Sequence, residues 1–243
     1  MKQEFYDNIE TTISPIRLST YKNHGGTSDN KVAIINYVLN AKIAENFYFL
    51  LQNLEVALRN AIYNGFKKYY TNSDFFYLHE TNPKVPHAYK SRKEKHSIEC
   101  WKMICGAKYN LRYVQNINDG KIIAELNFGF WTKLLLSTDQ KYSNMWRKIF
   151  KEVFPNYPIV SSIDNDKIII GTKIDAIRDF RNRIFHYEPI FNQINLATVH
   201  DDILTVLGWI NTDLQELSRL FDEFSLIEEK KRLVIEQLES NVL

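Results

Sequence analysis

Apolar residues recur at every third or fourth position over most of the chain, which is the spacing of helices with one buried face. The longest such run extends from Ser28 to about Tyr70, where Phe47, Leu50, Leu51, Leu54, Leu58, Ala61 and Ile62 share a stripe, with a break or kink expected near Asn40. Ahead of it, Ser14 suits an N-cap, Pro15 a first helical position and Gly25-Gly26 a helix end. Residues 71–96 lose the period, contain Pro83 and Pro86, and read as a loop leading into a basic helix start. A turn at Asn118-Asp119-Gly120 precedes "AELNFGFWTKLL" (124–135), which predicts a helix with inward aromatics. "QKYSNMWRKIFKEVF" then keeps the helical pattern until Pro155 and Pro158 end it. Asp164 or Asn165 is placed to cap a helix from about 166 to 187, which Pro189 closes. From Leu196 onward the pattern predicts one long helix or two, charged and solvated in the final third.

Every periodic segment is helical, so the expected fold class is all-α. Without an internal repeat, low-complexity tract or flexible linker, 1–243 reads as a single all-helical domain. Its expected parts are a short N-terminal helical segment (1–27), a core (28–215) and a charged C-terminal helix (216–243).

Composition agrees with long helices around a large core. The chain has 243 residues, 44% of them hydrophobic, with 15 Phe, 14 Tyr and 4 Trp but only 8 Gly and 6 Pro. So few breakers leave little room for the many tight turns of a sandwich or barrel. Two cysteines are too few for a disulfide framework, and the polar opening "MKQEFYDNIETT" carries no apolar leader, so a cytoplasmic location is expected. No uncharged run approaches the roughly 20 apolar residues that cross a bilayer, and no membrane partner is expected. A net charge of +2 does not by itself announce a nucleic-acid binder, so local clusters have to carry that case. Lys90, Arg92, Lys93 and Lys95, interleaved with Tyr89 and Trp101, are RNA-binding candidates; the alternative is a solvated charged face.

The densest candidate chemistry is "RDFRNRIFHYEPI", residues 178–190. On a helix, Ile174, Ile177, Arg181 and Ile184 share one stripe, and Asp175, Asp179, Asn182 and His186 share the next. Arg181 therefore stands where an apolar residue is expected, and a guanidinium there needs a carboxylate, a phosphate or solvent. Asn182 and His186, four apart, are close enough for the amide to orient the ring. Arg181 and His186 diverge by about 140°. Either the arginine reaches round the helix, or two copies of the motif face each other in an isologous dimer. Histidine near neutral pH moves protons to and from ribose and phosphate oxygens, and arginine neutralises charge that builds on a phosphate. Together they suit metal-independent RNA cleavage with the 2′-hydroxyl as nucleophile, which spares DNA.

At these residues the chain resembles a known family. "RNRIFH" (181–186) resembles the motif of HEPN domains, an arginine and a histidine separated by four residues with asparagine second. The longer "FRNRIFHYEPIF" is similar to the signature of the Abi-like (abortive infection) proteins of that superfamily. "LQNLEVALRNAIY" (51–63) and "IAELNFGFWTKLL" (123–135) resemble two further blocks of the family, so the resemblance spans about Ser14 to Trp209. It implies a HEPN-like helical bundle working as a symmetric homodimer, and endoribonuclease activity in phage defence by abortive infection or as a toxin. It also implies catalysis by Arg181 (phosphate binding), Asn182 (orientation) and His186 (proton transfer). Where family members often read His-His-Glu-Pro, Tyr187 takes the second histidine position, a change that points to tuning of rate or substrate choice.

Supporting positions are Glu55, Arg59, Asn60, Arg178, Asp179, Tyr187 and Glu188. Glu55 and Arg59 have the spacing of a surface ion pair. Glu55 also lies between Leu54 and Leu58, where a partly buried carboxylate suits a partner for Arg181 or Arg178. His96, Cys100 and Cys105 match no zinc spacing, no phosphate-cradling glycine motif is present, and the carboxylates are scattered; no cofactor or metal is expected. A cytosolic RNase also implies restraint, by an antitoxin protein, a bound RNA or a signal-dependent change of the dimer. The competing reading is a non-catalytic module that binds RNA or a partner protein.

Overall fold

The computed structural model describes residues 3–70, 92–193 and 195–240, and all the regular structure among them is helical. The helices are α1 (Gln3–Ile13), α2 (Pro15–Gly25), α3 (Asn30–Tyr69), α4 (Arg92–Asn110), α5 (Asp119–Glu125), α6 (Phe128–Leu136), α7 (Gln140–Val153), α8 (Ile163–Phe185), α9 (Leu196–Ile210), α10 (Thr212–Leu220) and α11 (Ile227–Ser240), with a 3₁₀ turn at Phe224–Leu226. No described helix is long and apolar enough to cross a membrane.

Contacts divide the chain into two compact units. The first comprises Met1–Gln52, Asp179–Asp201 and Leu217–Leu243; the second comprises Asn53–Arg178 and Asp202–Glu216. Helices α3, α8, α9 and α10 contribute residues to both.

In the first unit Ser14 caps α2, its hydroxyl accepting from the Arg17 amide at 3.2 Å, and Gly26 ends it in the left-handed region at φ 62°. Tyr6, Leu18 and Ile34 form an apolar cluster, and Lys22 pairs with Glu10 at 3.0 Å. Phe47 is wholly buried, meeting Phe180 and Phe224 edge to face. His200 stacks on Phe224, and its two ring nitrogens lie 2.6 Å from Asp222 and 3.3 Å from Asp201.

The second unit has an aromatic core of Trp131, Trp146, Phe150 and Phe154, and the Trp146 indole donates to the Leu134 carbonyl at 2.9 Å. Tyr157 meets Trp209 edge to face, and Asn156 bonds the carbonyls of Gly208 and Trp209. The Cys100 thiol is buried there, and burial pushes its pKa up to about 12.

Four boundaries differ from expectation. α3 runs unbroken past Asn40, which is buried and spends its amide on a distant turn. The helix expected over 124–135 is split: Asn118 caps α5, and Asn127 caps α6 by accepting from the Phe130 amide at 3.2 Å. α8 begins at Ile163, not near 166, because Ser162 supplies the cap to the Asn165 amide. The C-terminal stretch forms three helices, broken where Asn211 accepts from the Leu214 amide and where Asp222 accepts from the Phe224 amide.

Candidate functional site

The motif occupies the last turn of α8 and lies in the first unit from Asp179 onward. Its anchoring stripe is as the spacing predicts, with Ile174, Ile177 and Ile184 buried, while Arg181 and Asn182 are half-buried and His186 is exposed. His186 keeps the helical hydrogen bond, its amide donating to the Asn182 carbonyl at 2.9 Å. Its side chain is exposed, and among the described residues no hydrogen-bond partner of the imidazole occurs.

Arg181 does not stay on its own stripe. Its guanidinium lies over the Phe185 ring, 4.0 Å from the centroid, with one nitrogen 3.4 Å from the Asn182 amide oxygen. The second contact is long for a hydrogen bond, but it shows the direction of the side chain. Phe185 and Asn182 stand about 40° and 100° round the helix from Arg181, on the way to His186. Within one chain the side chain thus turns from its stripe toward Asn182.

The chain past α8 is locked from behind. The Tyr187 amide bonds the Ile184 carbonyl at 3.0 Å and the Glu188 amide bonds the Arg183 carbonyl at 2.8 Å, closing the helix with Tyr187 in the left-handed region at φ 56°. Glycine or asparagine is the usual occupant of that position, and a bulky residue costs about 1–2 kcal/mol there. Asn40 on α3 holds the turn: its oxygen accepts from the Ile190 amide at 2.6 Å and the Phe191 amide at 3.2 Å, and its nitrogen donates to the Glu188 carbonyl at 3.2 Å. The Tyr21 phenol, which burial holds above its ordinary pKa, accepts from Asn40 and donates to the Tyr187 carbonyl at 3.2 Å. Arg183 is committed locally, to the Pro189 carbonyl at 3.0 Å and to Glu188 at 3.5 Å.

The remaining expected residues separate. Asp179 and Glu188 are exposed in the first unit. Glu55 and Arg59 are half-buried and Asn60 is exposed, all on the part of α3 that belongs to the second unit. Arg178, also in the second unit, pairs with Asp175 at 3.0 Å and packs so near α6 that a Cβ on Gly129 would lie 3.4 Å from its Nη1. Lys90 lies outside the described residues; Arg92, Lys93 and Lys95 have helical backbone, and their side chains also lie outside. Among the described residues no group of three metal-ligating side chains occurs.

One part of the site is not foreseen by the motif. Ala41, Ala44, Glu45 and Tyr48 of α3 line a groove of about 440 Å³ together with Ile184 and Tyr187. Tyr48 stacks on Phe185, centroids 6.0 Å apart, so that Arg181, Phe185 and Tyr48 form a continuous ladder. The available signal is the spacing 41, 44, 48, a second helical face beside the buried stripe of Ile43, Phe47 and Leu50. Set against protein-family models, curated proteins and solved structures, the chain matches none of them.

Proposed function

We propose that this protein is a metal-independent endoribonuclease of the HEPN type, with Arg181, Asn182 and His186 as its catalytic residues. The observation that carries the reading is the pose of Arg181, whose guanidinium lies over Phe185 with one nitrogen 3.4 Å from the Asn182 amide oxygen, on the helix end that carries the exposed His186. His186 takes the proton from a ribose 2′-hydroxyl or delivers one to the leaving 5′-oxygen. Arg181 neutralises the phosphate as the 2′-oxygen bonds to phosphorus and the bond to the 5′-oxygen breaks. Asn182 orients the site through the arginine, its amide oxygen 3.4 Å from the Arg181 guanidinium. The products are a 2′,3′-cyclic phosphate and a free 5′-hydroxyl.

The proposal includes a symmetric homodimer, a cytoplasmic setting, use in phage defence or as a toxin, and restraint by an antitoxin or a bound RNA. Its support is the resemblance of the motif together with the local geometry of α8. The test is incubation of end-labelled RNAs with the purified protein in excess EDTA, beside His186→Ala and a DNA control. Cyclic-phosphate ends with wild type alone, and untouched DNA, are expected. RNA that shifts on a gel yet stays intact after addition of a cell extract would replace the reading with a binding module. Sedimentation gives the mass of the assembly, and a monomer at all concentrations would remove the dimer.

A further inference from the structure

The motif's neighbourhood carries rings that the proposed proton and phosphate chemistry does not use. Tyr48 and Phe185 stack with planes 28° apart, and Tyr48 is 56% exposed, Phe185 43% and Tyr187 74%. The groove beside them, about 440 Å³, is lined by Ala41, Ala44, Glu45, Tyr48, Ile184 and Tyr187. That volume lies in the range of small-ligand sites. Two alanines and two tyrosines in one lining suit a planar heterocycle.

Tyr187 adds an independent sign. Its backbone sits at φ 56°, held there by Tyr21 and by the Asn40-bonded turn. Burial of its own ring does not offset the strain, because the ring stands in solvent at the mouth of the groove. A bulky residue held in a strained conformation with its side chain unburied points to a use for that side chain.

We infer that the groove is a stacking subsite for one unpaired base of a single-stranded RNA, held between Tyr48 and Tyr187 so that its phosphate lies toward Arg181. The inference rests on the nuclease reading for the strand to which the base belongs. Charge favours such a strand: the Arg181 guanidinium stands one ring away from Tyr48, and Lys42 neutralises the rim carboxylate Glu45 at 3.0 Å. Stacking on tyrosine tolerates any base, because every base has a π-face. Duplex RNA keeps its bases inside and does not enter. A second copy of the chain is the less suitable occupant. A stable interface needs about 800 Å² from each partner, whereas charged Lys42, Glu45 and Glu188 interrupt the apolar surface around the rings.

The probe is a fluorescein-labelled 2′-O-methyl single strand, which cannot be cleaved, so that anisotropy reads binding without reference to catalysis. Tyr48→Ala and Tyr187→Gly are each expected to bind about tenfold more weakly than wild type. Tyr187→Gly relieves the strained backbone, and an unchanged melting temperature separates its loss of binding from loss of fold. A strand with an abasic site at the bound position should bind wild type at the variants' level and leave the variants indifferent. Wild-type affinity in both variants, or a duplex bound as tightly as the single strand, would overturn the subsite. So would a fall in sedimentation mass of Tyr48→Ala, which would assign the rings to a second copy. Ring-dependent binding without cleavage in EDTA would sink the nuclease reading and leave the subsite standing; cleavage with ring-independent binding would do the reverse.

Discussion

The guanidinium of Arg181 and the ring of Phe185 are in face contact one turn apart on α8, at 4.0 Å from the ring centroid. A cation over an exposed ring gains about 0.5–1 kcal/mol, enough to select one arginine rotamer among several. Phe185→Leu keeps an apolar side chain but removes the π-face. On the proposed nuclease reading, the expected outcome is a kcat/KM for RNA cleavage lower by about two- to fivefold with little change in melting temperature. An unchanged kcat/KM would mean that the ring does not position Arg181.

Asn40 joins two segments far apart in sequence through four hydrogen bonds, two accepted from Ile190 and Phe191 and two donated to Tyr21 and Glu188. Asn40→Leu removes the acceptor of the Ile190 and Phe191 amides and the donor to the Glu188 carbonyl, so urea unfolding should show a loss of about 2–4 kcal/mol. Asn40→Asp keeps the acceptor for the two amides and should lose less. Equal losses in the two variants would show that packing, not the amide bonds, holds the turn.

These residues also mark how far the sequence could be read. Ile174, Ile177 and Ile184 are legible because a helix buries a face at a fixed period, and the partly buried Arg181 stands out as the exception to it. Asn40 reads as a flaw in α3 because its partners lie about 150 positions away and local pattern holds no trace of them. Asn127 is a different case. Its capping signal is present, an asparagine three residues before the Phe130 amide it binds, but the apolar run around it masks the break. The motif is visible as a pattern on one helix, whereas the groove is made by α3 against α8 and depends on tertiary packing that spacing alone does not encode.

Gly171 brings α8 close against α6. A Cβ there would lie 2.9 Å from Leu135 Cβ and 3.1 Å from Leu136 Cδ2, and the first of these atoms cannot swing away. Alanine in a helix interior normally gains about 1 kcal/mol over glycine. Overpacking costs about 1–3 kcal/mol. Gly171→Ala should therefore be destabilised by roughly 1 kcal/mol in a denaturant titration. A stabilised variant would show that the two helices have room to part.

Lys167 is 1% exposed, and its ammonium donates to the Ser137 carbonyl at the end of α6. Burial pushes its pKa down to about 8; Arg147 pushes the same way, while Asp164 and Asp139 oppose them. The same amine in the unfolded chain titrates near 10.4. Between those two values the unfolded chain holds a proton that the folded chain has shed, so stability rises with pH across that window. The gain amounts to at most about 3 kcal/mol, and it is absent below about pH 8, where both states carry the charge. Other lysines and tyrosines titrate in the same range, so the informative quantity is the difference between wild type and Lys167→Met, followed by urea unfolding from about pH 7.5 to 10. The wild type should gain on the variant steadily as the pH climbs, because methionine carries no proton to lose. Parallel stability curves would show that the buried ammonium keeps an ordinary pKa and that the Ser137 carbonyl offsets its desolvation.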